Sequence, residues 1–237
     1  MSQPVFPYRI FPLGDTAITI DFGNCIDEAI NKEVITRFHQ LQQQPLPGMI
    51  EAIPAYSSLT IYYDVVALKR KISPTVTLFD WMKQQLEERL QQQVHQQEDS
   101  GKLISIPVCY DNEFALDIQH IASAKKISVE QIIHLHTAKT YKIYMLGFLP
   151  GFAYMGEVDE KIAISRKPQP EKVKAGSVGI VGRQTGIYPL DSPGGWQIIG
   201  RTPLKLFDAN NEHPVVLMAG DSVQFYSITA NDYYEIQ

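Results

Sequence analysis

MLGFLPGFAYMGEVDEKIAISRKPQPEKVKAGSVGIVGRQTGIYPLDSPGGWQIIGRTPLKLFD, residues 145–208, is the stretch that decides the fold. Ten of the fifteen glycines lie between Gly147 and Gly200, and six of the fifteen prolines lie between Pro150 and Pro203. Glycine is costly inside a regular element and useful where the backbone must turn or pass close to another group. Proline fixes φ and cannot donate to a sheet ladder. Their concentration predicts short strands joined by tight, preset loops, the construction of a rigid binding rim.

Working outward, strands are expected at Ser177–Val181, Trp196–Arg201, Val215–Met218 and Val223–Ser227. Upstream, further strands are expected at Lys102–Cys109 and Tyr141–Leu146. Two short helices, Ala115–Ala124 and Ser128–Thr137, fall between the upstream pair, and Ser128 with Gln131 forms a capping box. Many short strands with turn signals between them predict a closed or nearly closed barrel. The polar run from Gln91 to Gly101 reads as a linker, so domains are expected at 1–98 and 99–237. The first of these reads strand, strand, helix, strand, strand, helix. Strands are expected at Tyr8–Leu13, Thr16–Phe22, Met49–Ala55 and Leu59–Tyr63. The helices run from Asp27 to about Gln43 and from near Pro74 to Leu90. That order predicts an α+β sandwich of ferredoxin-like type.

Composition narrows the function. Apolar content of 44% and charged content of 20% are those of an ordinary globular protein. A net charge of -5 without a basic block argues against nucleic acid. Cys25 and Cys109 are too few for a disulfide framework, which favours a reducing compartment. The N-terminus has no signal-peptide pattern and no apolar run is long enough to cross a membrane, so a soluble cytoplasmic protein is expected.

Several motifs invite chemical readings. Gly176–Gly186 resembles a phosphate loop but has neither nucleotide-binding spacing, so it reads as a strand whose glycines permit close packing. Gln184 and Thr185 at its end are expected at a turn, pointing into a site. Ser177 and Ser192 lack the nucleophile-elbow context. His134 and His136 diverge on a helix and make no metal pair, leaving His136 as a packing or hydrogen-bonding residue. Pro193-Gly194-Gly195 is expected to form a tight turn beside the flat wall of Trp196, with Arg201 available to clamp a carboxylate. Pro150-Gly151-Phe152-Ala153-Tyr154 supplies a second turn with two aromatic rings. The expected substrate-binding set is Phe152, Tyr154, Gln184, Thr185, Tyr188, Ser192, Gly194, Gly195, Trp196 and Arg201. No residue is assigned a catalytic role.

At these residues the sequence resembles the KipI and allophanate hydrolase subunit 1 family, whose bacterial members include the B subunit of 5-oxoprolinase. The resemblance is carried by Leu146-Gly147-Phe148, Pro150–Gly156, Ala175–Ile180, Gln184–Pro189, Ser192–Trp196, Ile199–Pro203 and Leu206–Asp208. Asp111-Asn112 and Met155 depart modestly from the family pattern. The resemblance implies a cyclophilin-like barrel behind a smaller α+β domain. It also implies a hydrolase role within an ATP-dependent 5-oxoprolinase that converts 5-oxo-L-proline to L-glutamate. The implied partners are the other two proteins of that enzyme, its C component, which is allophanate hydrolase subunit 2-like, and its A component. ATP would be cosubstrate of the complex, with no ATP motif and no metal expected in this chain. The alternative it implies is inhibition of a sporulation sensor histidine kinase.

Overall fold

A computed structural model describes residues 6–92 and 101–236 of the chain. They form two compact units, Met1–Asp99 and Ser100–Gln237. Most of the expected linker, and the expected boundary at 98/99, lies outside the described residues.

In the first unit β1 (Arg9–Leu13) and β2 (Ala17–Asp21) form a hairpin across Gly14, whose φ of 64° a side chain rarely adopts. The helix α1 (Glu28–Gln43) follows, then β3 (Met49–Pro54) and β4 (Ser58–Tyr63). Asp27 starts α1 by accepting the Ile30 N–H at 2.9 Å. The strands lie antiparallel in the order β1-β2-β4-β3. Both β2 and β3 run against β4, so they are parallel to each other and α1 is the crossover that joins them. Alternation along β2 and β4 turns Ile18, Ile20, Leu59 and Ile61 to one face, where they join Val34 and Leu41 of α1 in a single core.

Two helices follow: the short α2 (Val65–Lys69), which was not expected, and α3 (Leu78–Leu90), which is the helix expected from near Pro74. The second starts later than predicted because Thr77 takes the Asp80 N–H and caps it there. Met82, Leu86 and Leu90, at i, i+4 and i+8, complete the core.

The second unit is a closed barrel. Its strands are β5 (Leu103–Cys109), β6 (Thr140–Leu146), β7 (Ala153–Gly156), β9 (Ser177–Val181), β10 (Gln184–Ile187), β12 (Gln197–Arg201) and β13 (Ser222–Ile228). They close in the order β10-β7-β6-β13-β5-β12-β9. A separate pair, β8 (Glu171–Val173) with β11 (Ser192–Gly194), stands beside it. Helices α4 (Ile118–Lys125) and α5 (Val129–Thr137) connect β5 to β6, and α6 (Ala230–Ile236) ends the described chain. Only β5 and β13 pair in parallel; closing the ring leaves the barrel strands no edge. Ile106, Val108, Ile143, Val178, Ile180, Ile187, Val223 and Phe225 fill the interior.

The Ser128–Gln131 capping box forms as expected, each side chain satisfying the other residue's backbone N–H. Ser128→Ala leaves one of these donors without its cap. We expect it to lower the unfolding free energy by about 1 kcal/mol, read from the urea midpoint.

Three expectations are corrected. Val215–Met218 is not a strand: it makes one isolated bridge, Phe207 to Val215. The Asp221 carboxylate takes the Met218 N–H at 3.0 Å, so a side chain captures a donor that a ladder would use, and its other oxygen takes the Lys102 N–H at 2.9 Å. Gln184 and Thr185 lie within a strand and not at a turn. The turn is Gly182-Arg183, a two-residue hairpin between Val181 and Gln184, with Gly182 at φ 55°. Pro193-Gly194 belongs to β11 and is no tight turn.

Candidate functional site

The site is organised around a bare patch of barrel wall. Gly179 on β9 and Gly186 on β10 are directly opposed, and neither carries a side chain. Aromatic rings take that space. A Cβ on Gly186 would meet Trp196 Cζ3 at 3.0 Å and Phe152 Cε1 at 3.2 Å, and one on Gly179 would meet Trp196 Cβ at 3.0 Å. These glycines serve packing, as the strand reading of the glycine-rich run expected.

Phe152 is the centre of the cluster. Its ring lies 4.7 Å from Tyr154, 5.0 Å from Tyr188 and 5.4 Å from Trp196, the last two nearly perpendicular. Such edge-to-face pairs contribute beyond their buried area, about 0.5–1.5 kcal/mol each. Val173 and Ile198 complete the apolar base. At its margin Phe148, 63% exposed, meets both Phe152 and Tyr188 edge-on. Phe148 is held at φ 67°, a conformation that costs a side-chain-bearing residue free energy and that tertiary packing must support.

Polar groups stand over this shelf. A Cβ on Gly194 would lie 2.5 Å from Tyr188 Oη, and one on Gly195 would lie 2.5 Å from Arg166 Nε. Gly194 is therefore set by the close approach of the buried Tyr188 ring and not by turn geometry, and Gly195 leaves the space that the Arg166 side chain takes. Burial pushes the Tyr188 phenol up, opposed by the Trp196 main-chain N–H and by Arg166. Burial likewise raises Tyr154, again opposed by Arg166. Lys167 sits between Asp117, at 2.7 Å, and Glu171, at 2.6 Å. Burial works against its charge, but the two carboxylates outweigh burial and raise its pKa. Asp117 also accepts the Ile198 N–H at 2.7 Å, fixing the start of β12 beneath Trp196. Ser192 Oγ is buried and has no hydrogen-bond partner among the described residues.

Seven of the ten expected site residues come together here: Phe152, Tyr154, Tyr188, Ser192, Gly194, Gly195 and Trp196. Gln184 alternates onto the same face as Gly186. Thr185 is a correction. It is fully buried and points into the barrel, because alternation along β10 turns it away from Gly186. Arg201 is the other. It lies at the far end of β12 from Trp196, its Nε donates to the Ala175 carbonyl at 2.7 Å, and its guanidinium stands 6.0 Å over the Tyr233 ring. Phe148, Arg166 and Lys167 also lie at this cluster, outside the set expected from the sequence. Gly195 was a signal for Arg166, but only a structure shows which side chain lies there.

The buried Thr185 belongs to a different device. Its hydroxyl donates to the Gly179 carbonyl at 3.1 Å and so accepts from His136 Nε2–H at 3.0 Å, while Tyr110 Oη donates to His136 Nδ1 at 2.8 Å. His136 is thus a neutral imidazole with both nitrogens satisfied, stacked 4.6 Å from Phe225. Burial depresses its pKa to about 3. It holds the barrel together, in keeping with its expected hydrogen-bonding role.

The second unit is thus a closed barrel that carries this aromatic cluster, and the first is an antiparallel α/β unit. The family model for the carboxyltransferase domain, subdomain C and D, matches residues 8–217, and the chain belongs to this family, the one that contains the B subunit of 5-oxoprolinase. It is 42% identical over 229 residues to the 5-oxoprolinase B subunit of Bacillus subtilis, covering 96% of this chain and 95% of that protein. It is 34% identical to the 5-oxoprolinase B subunit of Escherichia coli O157:H7, covering 92% and 94%. Among solved structures, that of TTHA0988 matches with a TM-score of 0.74 and 33% identity over 90% of this chain, which spans 40% of that longer chain. The urea amidolyase of K. lactis shares the fold at 20% identity and a TM-score of 0.73, over 99% of this chain and 16% of that one. Among the described residues no helix is long and apolar enough to cross a membrane.

Proposed function

We propose that this chain is the B subunit of an ATP-dependent 5-oxoprolinase that opens the lactam of 5-oxo-L-proline to L-glutamate. The observation that carries the proposal is similarity to proteins named as B subunits of 5-oxoprolinase along nearly the whole of both chains. Those names speak of one component among several, which supports a multi-protein enzyme. Its other members are a C component that is allophanate hydrolase subunit 2-like and an A component. The substrate is a small flat ring bearing a carboxylate and an amide carbonyl. An aromatic cluster edged by polar groups suits it: Tyr154 and Phe148 present surface above the buried Phe152, Tyr188 and Trp196, with Ser192, Gly194 and Gly195 beside them and Gln184 at the edge. A lactam resists water, so ATP must activate its oxygen. The phosphate-binding parts are assigned to the partners, because the glycine-rich run of this chain is a barrel hairpin.

At the level of fold, the second unit is read as a cyclophilin-like barrel. The first is read as a ferredoxin-like sandwich with its last strand moved to the front, since the order β1-β2-β4-β3 with an α1 crossover is what that permutation produces. A cyclophilin-like shape carries no prolyl isomerase activity with it.

The test is reconstitution with the A and C proteins, following glutamate release from 5-oxoproline. ATP-dependent turnover is expected from the three proteins together and none from this chain alone. Glutamate from the chain alone, or none from the full mixture, overturns the proposal. A sensor-kinase autophosphorylation assay with the same preparation distinguishes kinase inhibition, the alternative the motifs imply.

A further inference from the structure

We propose that Arg166 is the cation that binds the carboxylate of a small ring-shaped ligand on the aromatic shelf. The proposal rests on the functional reading above for the identity of the ring, and on geometry for the cation. Among the described residues the second unit contains three arginines, Arg166, Arg183 and Arg201. Arg183 is held by Glu157 at 2.6 Å. Arg201 is held by the Ala175 carbonyl and the Tyr233 ring. Arg166 makes neither a hydrogen bond nor an ion pair with any described residue, although it lies directly on the site.

Its position is built. The stem runs flat over Gly195: a Cβ there would sit 2.5 Å from Arg166 Nε, 3.0 Å from Cγ and 3.3 Å from Cδ. Any residue but glycine at 195 would push the arginine off. The next residue anchors the stem, since Lys167 N donates to the Gly195 carbonyl at 2.8 Å. The acidic groups at that point are already engaged: Asp117 and Glu171 both hold Lys167. The guanidinium is exposed beside the Tyr154 and Tyr188 phenols, and among the described residues no carboxylate is paired with it. A planar carboxylate is the anion that its fork of donors fits bidentately.

The apolar surface beside that fork is narrow: Phe148 is 63% exposed and Tyr154 partly exposed, above the buried Phe152, Tyr188 and Trp196. The ligand class is thus a small monocarboxylate whose apolar ring lies against Phe148 and Tyr154.

The test is calorimetric titration of the full chain with 5-oxo-L-proline, with acetate as the bare carboxylate, and with 2-pyrrolidinone, the same lactam without it. In the wild type 5-oxoproline is expected to bind more tightly than either fragment. Arg166→Gln is expected to weaken 5-oxoproline roughly 10- to 100-fold, to abolish any acetate heat and to leave 2-pyrrolidinone unchanged. Arg166→Lys, charged but not forked, is expected to fall between. Neither variant should shift the thermal midpoint, because Arg166 has no internal partner to lose. Equal affinity of wild type and Arg166→Gln for 5-oxoproline overturns the clamp, as does a wild type that binds none of the three probes. The functional reading fails separately. If Arg166→Gln loses carboxylate binding while the three-protein mixture makes no glutamate, the clamp stands and the lactam-opening role falls. If that mixture turns over with Arg166→Gln at an unchanged KM, the role stands and the clamp falls.

Discussion

Between pH 6.5 and pH 3 the barrel is expected to lose on the order of 4–5 kcal/mol of unfolding free energy through His136 alone. Its pKa is about 3 in the folded chain, lowered by burial from an ordinary 6.5. Across that window the unfolded chain binds a proton at this position that the folded chain refuses. Stability therefore rises with pH there. The contribution is fully present above 6.5 and is lost as pH falls toward 3, at roughly 1.4 kcal/mol per unit. The physical source is the sealed network: Tyr110 donates to Nδ1, Nε2–H donates to Thr185, and Phe225 stacks on the ring. A second proton would need an acceptor where Tyr110 offers a donor.

The measurement is urea unfolding at pH 7.5, 6, 5 and 4 for the wild type and His136→Gln. The protein has two tryptophans, and Trp81 is in the other unit, so a Trp81→Phe background makes Trp196 fluorescence report on the barrel. His136→Gln is expected to be less stable at pH 7.5 and to lack this slope. Parallel pH profiles for the two proteins would remove His136 from the account. Carboxylates such as Asp191 and Asp208, whose pKa values are already lowered by hydrogen bonds, contribute equally to both proteins and cancel in the difference.

Gly186→Val is expected to cost about 3 kcal/mol or more and to dismantle the shelf. The new Cβ would lie 2.9 Å from the Ala153 carbonyl oxygen, which the β7 ladder holds in place, and 3.0 Å from the Trp196 ring. Either the strand pair opens or Trp196 and Phe152 leave their positions, and overpacking of this kind usually costs about 1–3 kcal/mol before any lost aromatic contact is counted. Gly182→Ala is the control. Gly182 has φ 55° and nothing within 4 Å of an added methyl, so only the backbone conformation is strained. Its cost is expected to be about 1 kcal/mol with the Trp196 emission unchanged. A blue- or red-shifted Trp196 spectrum in Gly186→Val but not in Gly182→Ala is the signature. Equal losses and equal spectra in the two variants would show that the rings do not depend on the bare wall.

Legibility in the sequence followed the range of the interaction. Elements set by neighbours in the chain were readable: Asp27 and Ser128 cap their helices where expected, and β2, β4 and β9 follow their alternation. Trp196, Tyr188 and Phe152 were readable as a group because several turn-rich words carry them. Elements set across the fold were not. Val215–Met218 is apolar like a strand, yet Asp221 takes the Met218 N–H and Leu206 takes that of Val216. Thr185 and Gln184 are adjacent, and one faces the core while the other faces the shelf.

What the residues alone determined here is the barrel class, the capped helices, the family and the aromatic character of the site, because periodicity, caps and long words need no knowledge of distant neighbours. Only the tertiary structure decided why each glycine is a glycine, which arginine is left without a partner, and that His136 is sealed in neutral form. Those properties depend on what the fold places a few ångströms away, and chain order does not encode that distance.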